Sequence, residues 1–367
     1  MTGSHEALMA RALQLALRGR GTVSPNPMVG AVIARDGKVV AEGWHHQVGG
    51  DHAEVDALKK AREAARGADL YVNLEPCCHF GRTPPCTRAL LEAGLRRVFI
   101  AHQDPNPLVA GQGIETLRRA GMEVHVGLLE PRAREVNAPF LTWITRGRPF
   151  VVLKMAVTLD GRVADREGRS RWVSSEASRR EVHRLRSWFD AVMVGAGTVV
   201  RDDPLLLPTL VRPRSRLKRI VADLDGRTPL DARLLGTIDR GPVAIAVAAG
   251  APRAQAYQQR GAEVLEVPAT ADGLDLQTLL QTLGRQEITS LLIEGGPTLT
   301  RSLLGAGLVD RVWLFVAPRL LGDPQAPAWV SDLGLRDLPS ALPFEILRTR
   351  RIGPDVCIEL RPAPVSG

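Results

Sequence analysis

The apolar positions change period several times along this chain. Residues 6–20 put Leu8, Ala12, Leu15 and Ala16 on one side of a helix that Gly21 ends. A loop from Ser24 to Pro27 leads into the apolar run 29–33, a buried strand, and Asp36-Gly37 turns the chain into a second strand over 38–42. Helical spacing returns over 52–66. Then come a strand (71–74), a Pro/Gly-rich loop (75–85), a helix (87–93), a strand (97–101), a helix (113–120) and a strand (123–126). Strands alternating with helices predict an α/β layer architecture.

The pattern shifts at 145–149, which predicts a boundary between domains 1–146 and 147–367. The second domain reads as strands at 150–156, 191–195, 219–222, 243–247, 264–266, 290–293 and 312–317, with helices between several of them. No internal repeat or low-complexity segment is visible, and the tail after Pro362 is expected to fray.

A length of 367 residues suffices for two cores, and 44% hydrophobic residues suit a globular protein. No apolar run reaches bilayer length, and the N-terminus lacks a basic start with an apolar stretch, so a cytoplasmic protein is expected. Three of the four cysteines, Cys77, Cys78 and Cys86, cluster, while Cys357 is remote. That favours metal binding in a reducing compartment over a disulfide framework. The net charge is +8, and Arg supplies 43 of the 48 basic residues. A GC-rich coding sequence gives such a skew; a positive field also favours anionic small molecules or nucleic acid. Composition does not choose among these.

The densest chemistry is His52-Ala53-Glu54, followed by Pro76-Cys77 and Cys86. One imidazole and two thiolates hold zinc through three ligands and leave a fourth position for water, as in catalytic sites. Glu54 can carry the proton. This H-x-E…P-C arrangement is that of the zinc deaminases of nucleobases, which replace a ring amine hydrolytically. A structural knuckle completed by Cys78 or His79 is the competing reading; it would not need a Glu two residues after the His.

Ser24-Pro25-Asn26-Pro27-Met28-Val29-Gly30, Gly43-Trp44-His45, His52-Ala53-Glu54 and the segment from Glu75-Pro76-Cys77 through Pro84-Pro85-Cys86 together resemble the bifunctional deaminase–reductases of riboflavin biosynthesis. Gln103 to Pro107 is similar to a further segment of that family. The resemblance implies a cytidine-deaminase-like three-layer domain. Its substrate would be 2,5-diamino-6-(5-phosphoribosylamino)pyrimidin-4-one, with Asn26, His45, His79 and Arg82 at the substrate. Cys78 stands where Ser is common and Asp51 where Pro is common; neither removes a ligand.

In the second domain the chemistry lies in three segments: Leu153 to Arg162, Val192 to Thr198 with Asp202-Asp203-Pro204, and Leu291 to Thr298. Gly295 and Gly296 let backbone approach an anion, and Pro297 suits a first helical position. Gly195-Ala196-Gly197 does not complete G-x-G-x-x-G, since Val200 fills the last place, which argues against a Rossmann site. In this order the segments resemble the reductase half of the same family, implying a dihydrofolate-reductase-like fold and NADPH as reductant of the ribosyl group. By position, Ala156, Trp172, Thr198 and Asp202 match cofactor contacts. The loop Gly296, Pro297, Thr298, Leu299, Thr300, Arg301 and Ser302 matches the cofactor's phosphate side. Ser170, Arg186, Leu206 and Glu294 match substrate contacts. Lys154 and Glu294 are the ionisable pair expected to orient or protonate ribose oxygens. The run from Leu205 to Arg212 is longer than the family's, so Arg212 is a displaced candidate for substrate phosphate, and Leu224 stands where a small polar residue is common.

The leading expectation is therefore zinc deamination followed by NADPH reduction, with a homodimer or higher homo-oligomer implied by the resemblance. A nucleic-acid base deaminase with an accessory domain is the alternative; only 4% aromatic residues and no basic aromatic run count against it. A zinc protein that binds without turnover would have no use for a proton carrier.

Overall fold

The protein was analysed as a computed structural model that describes residues 4–79, 84–170 and 173–363. It separates into two units, Met1–Gly147 and Arg148–Gly367.

The first unit is built from α1 (His5–Ala16), β1 (Gly30–Arg35), β2 (Lys38–Trp44), α2 (Ala53–Ala61), β3 (Asp69–Val72), α3 (Cys86–Glu92), β4 (Arg97–Ile100), α4 (Gln112–Arg119), β5 (Glu123–Val126), α5 (Glu130–Val136) and α6 (Ala138–Arg146). Its sheet runs β2-β1-β3-β4-β5, antiparallel at β2-β1-β3 and parallel beyond. Alternation along the strands sends side chains to opposite faces. Ile33, Leu70, Val72 and Val98 pack under α2, α3 and α4 with Ala57, Leu90 and Leu117. Val32, Tyr71 and Phe99 pack under α1 and α5 with Met9, Leu13 and Ala133. This is the three-layer deaminase-like architecture. The β1–β2 turn holds Asp36 and Gly37 both at positive φ, the geometry that matches strand twist in a two-residue hairpin.

The second unit comprises β6 (Phe150–Val157), α7 (Glu176–Arg186), β7 (Ala191–Gly195), α8 (Ala196–Asp202), β8 (Lys218–Ala222), β9 (Val243–Val247), α9 (Ala254–Gln259), β10 (Glu263–Glu266), β11 (Ala269–Thr270), β12 (Gly273–Leu274), α10 (Leu276–Arg285), β13 (Ser290–Ile293), α11 (Pro297–Gly305), β14 (Arg311–Val316), β15 (Phe344–Ile352) and β16 (Asp355–Pro362). Its large sheet has the order β10-β9-β8-β7-β13-β6-β14-β16-β15, parallel except for the β15–β16 hairpin. One face carries Leu153, Met155, Met193 and Ile293 against α10 and α11. The other carries Val152, Val194, Leu292 and Phe315 against α7, α8 and α9. A parallel sheet covered on both faces explains the near-continuous apolar runs of its strands. The fold is the dihydrofolate-reductase-like one. Three features depart from the sequence pattern: α5 and α6 fill 130–146, β11 and β12 form a small hairpin, and the long β15–β16 hairpin lies at the sheet edge.

Candidate functional site

In the first unit, His52 is the residue that caps α2, with extended backbone (φ −70°, ψ 159°). Gly43 brings this helix close to β2: a Cβ there would lie 2.2 Å from the Ala53 carbonyl oxygen. Cys86 opens α3, and its backbone N–H donates to Cys77 Sγ at 3.3 Å, while Thr87 N–H donates to the Cys77 carbonyl at 3.2 Å. The helix start thus holds the Cys77 loop in place. His52 Nδ1 lies 3.1 Å from Cys86 Sγ and 3.5 Å from Cys77 Sγ. All three donor atoms fall within 4.8 Å of one another, and neither Cys78 nor His79 belongs to this cluster. The donor set of one nitrogen and two sulfurs fits a three-ligand zinc site, not a four-ligand knuckle.

Glu54 is buried beside it, and that burial raises its carboxyl pKa above the ordinary value. Cys77 is drawn down to about 4, chiefly by the hydrogen bond with Cys86 and then by His52; the same Cys77–Cys86 bond, with burial, pushes Cys86 well up. The two thiols thus share a proton between unequal partners.

Burial lowers the His45 pKa, so the ring is neutral at pH 7. Its Nδ1–H donates to the Asp51 carbonyl at 2.9 Å, which makes Nε2 an acceptor for Asn26 Nδ2–H at 3.0 Å. This tautomer turns the Asn26 Oδ1 towards the role of acceptor. The backbone just after Asn26 is held by buried amides: Asn73 accepts from Gly30 N–H (2.8 Å) and donates to the Met28 carbonyl (2.9 Å), and Asn137 accepts from Met28 N–H at 2.8 Å. His79 Nδ1 is buried with no hydrogen-bond partner among the described residues. Arg82 lies outside the described residues.

Glu75 escaped sequence reasoning as more than part of a motif. Its buried carboxylate accepts four backbone N–H groups, from Asp104 (3.1 Å), Gly111 (3.0 Å), Gly113 (2.9 Å) and Ile114 (3.1 Å). It clasps the start of α4 against the strand end from which Cys77 follows.

In the second unit, Lys154 and Ala156 on β6 share a face with α7. Glu294 follows β13 there. The pairing of Glu294 with Lys154 expected from the sequence is present at 4.0 Å, and a tighter partner joins it: Arg186 of α7 grips the carboxylate with two bonds, at 2.6 and 3.0 Å. A planar guanidinium matches both oxygens; an ammonium cannot. Burial alone would raise the Glu294 pKa, but Arg186 and Lys154 outweigh it and hold it below the ordinary range. Burial lowers the Lys154 pKa, Arg186 adding to that and Glu294 opposing it. His183, one turn before Arg186, is pulled down to about 4 by burial and by Arg186. No motif had flagged it. Leu206 is buried with φ +56°, and the neighbouring Leu207 carbonyl accepts from Arg186 at 3.4 Å. Ser170 is partly buried, Arg212 is exposed, Leu224 packs against the core, and Trp172 lies outside the described residues.

The loop expected over 296–302 needs correction. It is the start of α11, not a loop, with Gly296 as its cap. Leu299 and Thr300 turn into the core, Arg301 pairs with Asp272, and Ser302 bonds the Thr298 carbonyl. Gly296, Pro297 and Thr298 remain at the open end. Beside them, at the end of the adjacent strand β7, stand Gly195, Gly197, Thr198 and Asp202. A Cβ added at Gly195 would meet nothing within 4 Å, and at Gly197 or Gly296 it would meet only Arg201. Bare backbone of this kind is a cradle for an anionic group.

Residues 149–358 match the RibD C-terminal domain, and residues 2–102 the cytidine and deoxycytidylate deaminase zinc-binding region. The riboflavin biosynthesis protein RibD of Aquifex aeolicus is 42% identical over 95% of this chain and 96% of its own. The chain belongs to the RibD family. RibD of Escherichia coli K12 is 41% identical over 97% of this chain and 98% of its own. The Acinetobacter baumannii RibD structure superposes with a TM-score of 0.88 at 39% identity, covering 98% of this chain and 99% of that one. A Thermotoga maritima structure described as a diaminohydroxyphosphoribosylaminopyrimidine deaminase/5-amino-6-(5-phosphoribosylamino)uracil reductase gives 0.86 at 35% identity, covering 98% of both chains. The chain thus carries a deaminase unit and a reductase unit of riboflavin biosynthesis.

Proposed function

We propose that this chain deaminates 2,5-diamino-6-(5-phosphoribosylamino)pyrimidin-4-one at ring carbon 2. It then reduces the ribosyl group of 5-amino-6-(5-phosphoribosylamino)uracil to ribityl with NADPH. The convergence of His52, Cys77 and Cys86 beside the buried Glu54 carries the first half of this reading.

His52, Cys77 and Cys86 would hold one zinc ion. When bound, it acts as a Lewis acid that makes water a competent nucleophile near neutral pH. The Glu54 carboxylate takes the water proton and delivers it to the ring nitrogen, then to the departing amine. A carboxyl whose pKa burial has raised suits both directions of transfer. Asn26, oriented by neutral His45, reads the pyrimidine edge through Oδ1, and His79 offers its unpartnered Nδ1. Arg82 is the proposed phosphate ligand of this half.

In the reductase unit, Ala156, Trp172, Thr198, Asp202 and Gly296 to Thr298 are the proposed NADPH contacts; the glycine cradle fits its phosphates. NADPH supplies the hydride; the protein supplies position and field. Glu294, locked by Arg186, presents a fixed carboxylate to the ribose hydroxyls. Lys154, whose proton burial makes easier to give up, protonates the ribose oxygen that becomes a hydroxyl. Ser170, Arg186 and Leu206 would frame the sugar.

No helix among the described residues is long and apolar enough to cross a membrane. A cytoplasmic homodimer or higher homo-oligomer formed through the reductase half remains the reading; sedimentation of the purified protein tests the assembly. The function itself is tested on zinc-quantified protein with the diaminopyrimidine ribotide. Ammonia should appear without cofactor, and NADPH oxidation should follow its addition. Zinc-loaded protein that releases no ammonia would overturn the deaminase reading; ammonia without NADPH use would overturn the reductase reading.

A further inference from the structure

Arg201 sits on the last turn of α8 and is exposed, yet its side chain does not run out to solvent alone. Side chains on a helix lean towards its N-terminus, and Gly197 lies four residues earlier, one turn back on the same face. A Cβ at Gly197 would lie 3.9 Å from Arg201 Nη2, and a Cβ at Gly296 would lie 4.0 Å from the same atom. A Cβ at Gly168, in the loop that leads to Ser170, would lie 3.6 Å from Nη1. The guanidinium therefore stands where two neighbouring parallel strands, β7 and β13, deliver their glycine ends, with a third segment beside it. Among the described residues it makes no hydrogen bond or ion pair.

Several arginines of this unit are paired with a carboxylate, among them Arg166, Arg169, Arg184, Arg186, Arg301 and Arg311. A fork of donors held over bare backbone without an acidic partner lacks an anion. We propose that Arg201 binds the pyrophosphate of the nicotinamide cofactor, bridging the Gly197 and Gly296 sides of the cradle. This rests on the reading that the cofactor binds at this end of the sheet. A guanidinium can bond two phosphate oxygens at once, and the missing Cβ atoms at Gly197 and Gly296 leave room for them. The pyrophosphate is favoured over the 2′-phosphate because Arg201 stands at the junction of both glycine segments.

The test is equilibrium binding to the full-length protein, followed by the fluorescence of NADPH and of NADH, with no turnover involved. Wild-type protein is titrated first; failure to bind either nucleotide would overturn the cofactor reading itself, apart from Arg201. Given wild-type binding, Arg201→Gln should raise Kd roughly ten-fold for both nucleotides, the loss of one charge-assisted contact. Arg201→Lys should recover part of that, keeping charge but losing the fork. Added salt should weaken wild-type binding more steeply than that of Arg201→Gln. Thermal unfolding should be unchanged, because no internal partner is lost. An unchanged Kd in Arg201→Gln would overturn the assignment. A loss confined to NADPH would overturn it as well, since it would place Arg201 at the 2′-phosphate.

Discussion

Glu75 offers the sharpest test of how the deaminase centre is held. Its two oxygens divide the work: Oε1 accepts from Gly113 and Ile114, Oε2 from Asp104 and Gly111. Glu75→Gln keeps the shape but turns one oxygen into an N–H₂ group, which meets two N–H donors head-on. Each donor left without an acceptor costs about 1–3 kcal/mol, so the substitution should cost about 2–5 kcal/mol. For a unit of 147 residues that lowers its melting temperature by roughly 5–15 °C. The effect should reach the ligands, because Pro76 and Cys77 follow directly. Zinc content should fall, and ammonia release with it, while NADPH oxidation by the second unit with pre-formed deaminated substrate should persist. The assays are scanning calorimetry, metal analysis and the two activities measured separately. A Glu75→Gln protein with full zinc, unchanged melting and full ammonia release would refute the claim that this carboxylate organises the loop.

Other outcomes follow from the same geometry. Glu54→Gln should retain zinc but lose ammonia release by several orders of magnitude, read by metal analysis and an ammonia assay. Glu294→Gln should abolish or strongly reduce NADPH oxidation and leave ammonia release intact, because one side of the Arg186 clamp is lost; buried pairs broken in this way typically cost about 3–5 kcal/mol, so its reductase unit should also melt earlier. His183 is a base whose folded pKa, about 4, lies below its unfolded value, so its neutral form is favoured by folding. Its contribution is present above the unfolded pKa and is lost as pH falls from about 6.5 towards 4; Arg186, Lys154 and Glu294 are the charged groups acting on it. Denaturant titrations of His183→Gln should show a shallower loss of stability over that window than wild type. Gly43→Val should disrupt the first unit, since its Cβ would strike the Ala53 carbonyl, and the soluble fraction would report this.

Much of the fold was legible because the buried strands leave plain marks. Ala191–Gly195, Val243–Val247 and Ser290–Ile293 are short apolar runs closed on both sides, and all three are interior strands of the large sheet. The β15–β16 hairpin was not legible. Its first strand, Phe344–Ile352, carries three arginines in five residues and is half exposed, so it lacks a clean two-residue alternation. The helices over 130–146 hide behind Pro131 and Pro139, which read as breakers but occupy first-turn positions. For the sites, local spacing brought His52, Cys77 and Cys86 to attention because a metal demands particular donors. Arg186 as the partner of Glu294 lies 108 residues away, and the amides that fix Met28 and Gly30 beside Asn26 come from Asn73 and Asn137. Such pairings depend on which strands become neighbours, which periodicity does not encode.

The position of β6 bears on how the polypeptide is made. Emerging from the ribosome, residues 4–147 contain every strand their own sheet requires. The next strand begins at Phe150, but its two neighbours are β13, which starts at Ser290, and β14, which starts at Arg311. The strand synthesised first in this unit is thus flanked by two synthesised late. Domains commonly fold as units during synthesis, amino-terminal first, and pairings of long sequence separation are slow to form. The deaminase unit can be complete while β6 still waits for more than a hundred residues, a span in which an apolar strand stands open to chaperones or to its like on a neighbouring nascent chain.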